Sequence, residues 1–67
     1  MIEPIVIWQA ANEMVKRHGD LAPLECAVRA DGMLENGDIM GQTVWLAIRR
    51  AAKSLLENGP PNDISKA

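Results

Sequence analysis

The chain has 67 residues, of which 48% are hydrophobic, and a formal net charge of −2 at pH 7. This length allows one small domain, which buries only about 60% of its unfolded surface and is marginally stable alone. The negative charge argues against a generic phosphate-binding surface. The single cysteine excludes an internal disulfide. Because the chain has only one His and one Cys, a metal site is not expected either. Self-association is the remaining reinforcement for a domain of this size.

The first apolar stretch has no basic run before it and is interrupted by Gln9 and Asn12, which argues against a signal peptide. Nowhere does the sequence approach the roughly 18 consecutive apolar residues of a membrane span. We therefore expect a soluble, cytoplasmic protein that does not associate with membranes.

The first predicted helix covers about residues 4–18. Pro4 suits a first helical turn, because its missing N–H would be unpaired there anyway. Ile7, Ala11 and Met14 recur at helical spacing and predict one buried stripe. Gly19 is expected to end the helix in the left-handed conformation, where a residue without a Cβ has no steric penalty.

The second predicted helix covers about residues 21–36, with Asp20 or Ala22 as its cap and Pro23 in its first turn. Its expected core face comprises Leu24, Ala27, Ala30 or Asp31, and Leu34, flanked by Cys26, Val28 and Met33. Small residues on this face would let a neighbouring helix come close. Gly37 is expected to end this helix as Gly19 ends the first.

The third predicted helix covers about residues 39–58, with Asp38 as its cap and Gly59 after its end. Two adjacent rows predict its core face: Val44, Ile48, Ala51 and Leu55, then Trp45, Ala52 and Leu56. Residues 60–67 form a polar tail that we expect to be disordered. The resulting prediction is an all-α domain over residues 1–59, a compact three-helix bundle with short Gly-Asp turns.

His18 and Cys26 are the residue types that would suggest catalysis, but neither has the partners that it would need. His18 is interpreted as a helix C-terminal residue and Cys26 as a small buried hydrophobe. With no acid, base and nucleophile converging, we expect no enzymatic activity, no catalytic residues, no cofactor and no metal. Asp31 falls near the expected core stripe, so it is predicted to pair with Arg49 or Arg50, or with backbone N–H groups of a turn.

The third helix also admits a nucleic-acid hypothesis. In a helix-turn-helix regulator, Gln42, Thr43 and Leu46 would face base edges. Arg49, Arg50 and Lys53 would then reach phosphates. The net negative charge, with Glu35 and Asp38 at the end that must approach DNA, disfavours this alternative.

The sequence has more apolar side chains than three short helices can bury. This excess indicates a protein-binding surface. The candidate face comprises Ile7, Trp8, Met14, Trp45 and Leu46. The prediction is a non-enzymatic protein–protein interaction module, with a homodimer as one form of it. The DNA-binding regulator is the alternative.

Four short elements also support a resemblance. They are Gly19-Asp20, Arg29-Ala30-Asp31, Gly37-Asp38 and Trp45-Leu46-Ala47-Ile48. In these elements, which lie within residues 8–56, the chain resembles a family of small bacterial all-helical proteins of unknown function. The resemblance implies a bacterial, cytoplasmic protein and brings no catalytic residues.

Overall fold

A computed structural model describes residues 4–59, and all of these are helical except residues 36–38 and Gly59. The α-helices are α1 (Pro4–His18), α2 (Ala22–Glu35) and α3 (Ile39–Asn58). A 3-10 turn, Gly19–Leu21, joins α1 to α2. No strand occurs among the described residues. The all-α class is confirmed, and the predicted helix bounds agree within a residue or so. The predicted polar tail, 60–67, lies outside the described residues.

The junction between α1 and α2 differs from the expected turn. Gly19 has a φ of +58°, as predicted, but residues 19–21 stay helical. Asp20 lies inside this 3-10 turn and caps nothing, while Leu21 occupies the N-cap position without a side-chain hydrogen bond. The Ala22 N–H donates to the Gly19 carbonyl instead, so the backbone itself supplies the partner that a cap would offer. The described helical residues thus form two uninterrupted runs, 4–35 and 39–58.

The junction between α2 and α3 is the sharp turn that was expected. Gly37 has a φ of +78°, its N–H donates to the Leu34 carbonyl at 3.0 Å, and the Asp38 N–H donates to the Met33 carbonyl at 2.8 Å. This pair of bonds is a Schellman motif. The Asp38 carboxylate then accepts a hydrogen bond from the Gly41 N–H at 2.8 Å, which confirms Asp38 as the cap of α3.

The core is built mainly from small residues. The buried apolar residues of the described chain are Ala11, Met14, Ala22, Cys26, Ala30, Ile48, Ala51 and Ala52. Larger side chains pack around this cluster while staying half-buried, among them Ile7, Trp8, Val15, Val44, Trp45 and Leu55. The predicted stripes of α1 and α3 are therefore confirmed, except that Leu56 is exposed.

The core face predicted for α2 is wrong in part. Ala22, Cys26 and Ala30 point inward, whereas Leu24, Val28 and Leu34 are exposed. A face of small side chains lets the α2 backbone approach α3 closely. The two helices therefore pack at short distance and not through large interdigitating side chains. The rule that places the largest apolar side chains inside turned the predicted face away from the one that is buried, although Ala30 and Cys26 were included in it or beside it.

Candidate protein-interaction surface

Three exposed apolar side chains lie on the outward face of α2 and at its N-cap. Leu21, Leu24 and Val28 are 60%, 59% and 57% exposed, although each is a residue type that proteins usually bury. Successive residues of an α-helix are rotated by about 100°, which places Leu24 and Val28 opposite Cys26, and Leu21 at the N-cap precedes them. We call Leu21, Leu24 and Val28 the α2 stripe.

Unpaired carboxylates continue the α2 stripe toward the end of α2. Asp31 and Glu35 lie on the same outward face and are exposed. Within residues 4–59, neither carboxylate has a cationic group within 4.0 Å. The Asp31 carboxylate also accepts no hydrogen bond from a backbone N–H among these residues, so its predicted pairing, with Arg49 or Arg50 or with a turn, is wrong. The reason is rotational, because Ala30 takes the inward position and its neighbour Asp31 is turned toward solvent.

Arg29 is the one cation of α2, and it lies on the side that faces α3. Its guanidinium carbon stands 5.4 Å from the centroid of the Trp45 ring, within cation–π range. This contact was not predicted. The sequence offers both residue types, but only the packing of α2 on α3 brings them together. With Arg29 over Trp45, α2 has no other cation to offer beside its stripe, and Asp31 and Glu35 follow the stripe along the helix.

A second feature is an open groove of about 390 Å³ between the start of α1 and the middle of α3. It is lined by Pro4, Ile7, Trp8, Ala47, Arg50, Ala51 and Ser54. The two alanines of α3 leave the space, and the isoleucine and tryptophan of α1 flank it. Arg50 is the only charged lining residue, and no carboxylate among residues 4–59 lies within 4.0 Å of it. We call this the α1/α3 groove.

The structure does not gather the predicted interaction face on one surface. Ile7 and Trp8 line the α1/α3 groove, and Trp45 lies half-buried at another edge of the core, beneath Arg29. Met14 is only 7% exposed and belongs to the core. Leu46 is half-buried on the side of α3 that faces away from the core. Leu24 and Val28, which the sequence predicted on or beside the core face, are exposed in the α2 stripe together with Leu21.

The candidate nucleic-acid contacts do share one face of α3. Helical rotation places all of them on the side opposite Ile48: Gln42, Thr43, Leu46, Arg49, Arg50 and Lys53. The three cations are exposed, while the Thr43 hydroxyl donates to the Ile39 carbonyl at 3.1 Å. Asp38 caps the N-terminus of this helix and adds a negative charge where DNA would approach.

The two residues considered for catalysis lie in structural environments. Cys26 is fully buried, and burial raises the pKa of its thiol above the ordinary value of 9.0, an effect that the charges of Arg29 and Arg49 offset in part. His18 is half-buried in the last turn of α1.

Among residues 4–59, no group of three or more His, Cys, Asp or Glu side chains could hold a metal ion. Over the same residues, no helix combines the length and apolar character that crossing a membrane requires.

Comparison with known proteins finds no match for this chain among protein-family models, curated proteins or solved structures. The resemblance to small bacterial helical proteins therefore stays a prediction. The candidate surfaces described above rest on geometry and charge alone.

Proposed function

We propose that this chain is a non-enzymatic protein–protein interaction module whose docking element is the α2 stripe. The observation that carries the proposal is the orientation of α2, which turns Ala22, Cys26 and Ala30 inward and Leu21, Leu24 and Val28 outward. Leaving three large apolar side chains in water gives no stability to the isolated chain. Covering them with a partner recovers that free energy.

The size of this contribution limits what the stripe can do by itself. Burying the remaining exposed part of a Leu or Val side chain stabilises a complex by about 1–2 kcal/mol. Three such side chains give roughly 3–6 kcal/mol, which is comparable to the lower estimates of the cost of association. A stable complex therefore needs a second contact region beside the stripe.

We also propose that the domain is a compact three-helix bundle, with α1 and α2 acting as separate helices despite the helical turn between them. A straight run over residues 4–35 would be about 48 Å long and would hold Ala11 and Cys26 some 22 Å apart. Both residues belong to one core cluster with Ile48, and the left-handed Gly19 supplies the change of direction. These observations support the bundle.

The setting that we propose is the bacterial cytoplasm, on the strength of the family resemblance. The partner is a protein, with a second copy of the chain as the first candidate. Self-association is consistent with the small core, since a marginal domain gains stability when a partner covers its apolar surface.

The test is sedimentation of the wild-type chain and of L24E over a wide concentration range. The wild type is expected to associate as concentration rises, and L24E is expected to stay monomeric with an unchanged helical circular-dichroism spectrum. L34E is the matched control, because Leu34 is also exposed on α2 but points away from the stripe. If the wild type stays monomeric, and a pull-down from the native host captures the same proteins with L24E as with the wild type, the proposal is wrong.

A DNA-binding regulator is the second candidate, favoured by the alignment of Arg49, Arg50 and Lys53 on one exposed face of α3. The test is retention on heparin and on duplex DNA at increasing salt, since phosphate neutralisation releases counterions. We expect no retention at physiological salt. Salt-sensitive retention that is lost in an R49A/K53A variant would favour DNA binding over the interaction module.

A further inference from the structure

We propose that the partner is a second copy of this chain, and that the α2 stripe of one copy docks into the α1/α3 groove of the next. This inference rests on the proposed function, because it uses the α2 stripe as the docking element. The α1/α3 groove is the receiving surface, so the copies assemble head to tail.

The two surfaces are complementary in shape. The α2 stripe is a ridge of branched apolar side chains, each more than half exposed. The α1/α3 groove is a concavity of about 390 Å³, within the range that pockets use to enclose bound groups. Ala47 and Ala51 leave room for an incoming side chain, and Trp8 offers an aromatic surface of the kind enriched at protein interfaces. Filling the groove supplies the second contact region that the stripe alone lacks.

The two surfaces are also complementary in charge. Asp31 and Glu35 follow the stripe, and Arg50 stands at the groove; each of the three lacks an ion-pair partner within residues 4–59. Docking brings the carboxylates of one copy to the cation of the next. Such pairs fix register and orientation more than they add affinity.

The same charges argue against a symmetric dimer formed by two stripes. In a parallel pairing of two stripes, the carboxylates of both copies would lie side by side, and in either pairing the one cation of α2, Arg29, already stands over Trp45. Like charges brought together across an interface are costly. A stripe in a groove avoids this repulsion, so the head-to-tail arrangement is favoured.

Head-to-tail docking leaves a free stripe at one end of the assembly and a free groove at the other. No residue of the stripe lines the groove, so one copy can engage two neighbours at once. Such an interface closes into a ring if the rotation between copies permits and otherwise extends as an open chain.

The decisive experiment mixes two variants, each with one damaged surface. L24E damages the stripe and keeps the groove, whereas A47E places a carboxylate in the groove and keeps the stripe. Each variant alone is expected to be monomeric, and an equimolar mixture is expected to form a 1:1 heterodimer that grows no further. Circular dichroism and urea unfolding of each variant check that the fold is retained.

Three outcomes would overturn the inference. If A47E alone still self-associates, the α1/α3 groove is not the receiving surface. If the mixture stays monomeric while the wild type associates, a different surface forms the contact. If the wild type stays monomeric, the partner is a different protein, and the proposed function is then judged separately by whether L24E loses a partner in the pull-down.

A charge reversal tests the predicted register. R50E is expected to weaken association at least two- to fivefold, because it removes an exposed ion pair and places a like charge beside Asp31 and Glu35 of the next copy. Adding D31R and E35R to the same chain is expected to restore association. K53E is the matched control, because Lys53 is an exposed cation of α3 that does not line the groove. Equal weakening by R50E and K53E, or no rescue, would contradict the register.

Discussion

Gly37 has a φ of +78°, and a Cβ built there would have no heavy atom within 4 Å. A substitution at this position is therefore expected to destabilise the fold through backbone strain, because the added side chain meets no steric clash. Gly32 offers the opposite case, since it lies within α2, where its backbone is an ordinary helical one, and its surroundings are equally open. The two glycines separate the effect of a left-handed backbone from that of helix propensity.

We expect G37A to lower the free energy of unfolding by about 1–2 kcal/mol, the cost of holding a residue with a Cβ in the left-handed region. We expect G32A to raise it by about 0.5–1 kcal/mol, because alanine loses less conformational freedom in a helix than glycine does. Urea unfolding followed by circular dichroism measures both changes. A G37A variant as stable as the wild type would mean that this turn is not left-handed in solution.

The Cys26 thiol links stability to alkaline pH. Burial raises the pKa of Cys26 in the folded chain, whereas in the unfolded chain the thiol titrates near 9.0. Above that pH the unfolded chain gives up its proton before the folded chain does, so unfolding becomes more favourable. The contribution of Cys26 is thus fully present below pH 9 and is lost as the pH rises through the folded pKa.

We therefore expect the wild type to lose more stability than C26A between pH 8 and pH 10. Urea unfolding at the two pH values measures the difference, and C26A serves as the control because it keeps every other titrating group. Thiol-reagent labelling should be slow in buffer and fast in urea. Fast labelling of the folded chain would show that Cys26 is accessible.

At the scale of the element, α2 is attached to α3 by close approach and by one aromatic contact. Its inward side chains are small, so a shift of the helix would lose little interdigitation. The Arg29 guanidinium over Trp45 is the one polar side-chain contact between the two helices among the described residues. The contact matches the rotation of α2 that buries Ala22, Cys26 and Ala30 and leaves the α2 stripe outside.

We expect R29A to lower the free energy of unfolding by about 0.5–1 kcal/mol, the range of an exposed cation–π contact. In a double-mutant cycle of R29A with W45L, most of the free energy lost in R29A should appear as coupling energy, since the two groups touch directly. R49A is the control for loss of a positive charge beside the core. If the coupling energy between Arg29 and Trp45 is no larger than that between Arg49 and Trp45, the cation–π contact does not contribute to stability.

At the scale of the whole molecule, stability depends on a few side chains. Five of the eight buried apolar residues of the described chain are alanines, so Met14, Cys26 and Ile48 are the only buried residues with larger side chains there. A domain of this size has a free energy of unfolding of about 3–8 kcal/mol. One large-to-small substitution in this core is therefore comparable to the total.

We expect I48A to cost about 2–5 kcal/mol, through lost burial and an unfilled cavity, and to leave the chain largely unfolded at low concentration. I39A is the matched substitution on the same helix, where the side chain is 57% exposed instead of 4%, and its effect should stay within about 0.5 kcal/mol. Thermal unfolding by circular dichroism compares them. Equal effects would mean that Ile48 is not in the core.

The sequence by itself determined where the helices are and where the chain turns. Gly19, Gly37 and Gly59 are left-handed, and Asp38 caps α3, because these outcomes depend on interactions within a few residues of one another. Local sterics and local hydrogen bonds are the same wherever the segment lies in the fold. For the same reason, the helix bounds followed from the glycines, the prolines and the apolar spacing.

The tertiary structure alone decided which side of α2 faces inward. Both sides of this helix carry apolar residues, so periodicity could not choose between small residues packed closely and large residues packed at a distance. Contact with α3 selected the small ones, which turned Asp31 to solvent, brought Arg29 to Trp45 and left the α2 stripe exposed. The α1/α3 groove likewise exists only where two helices distant in sequence meet, because its walls belong to different elements.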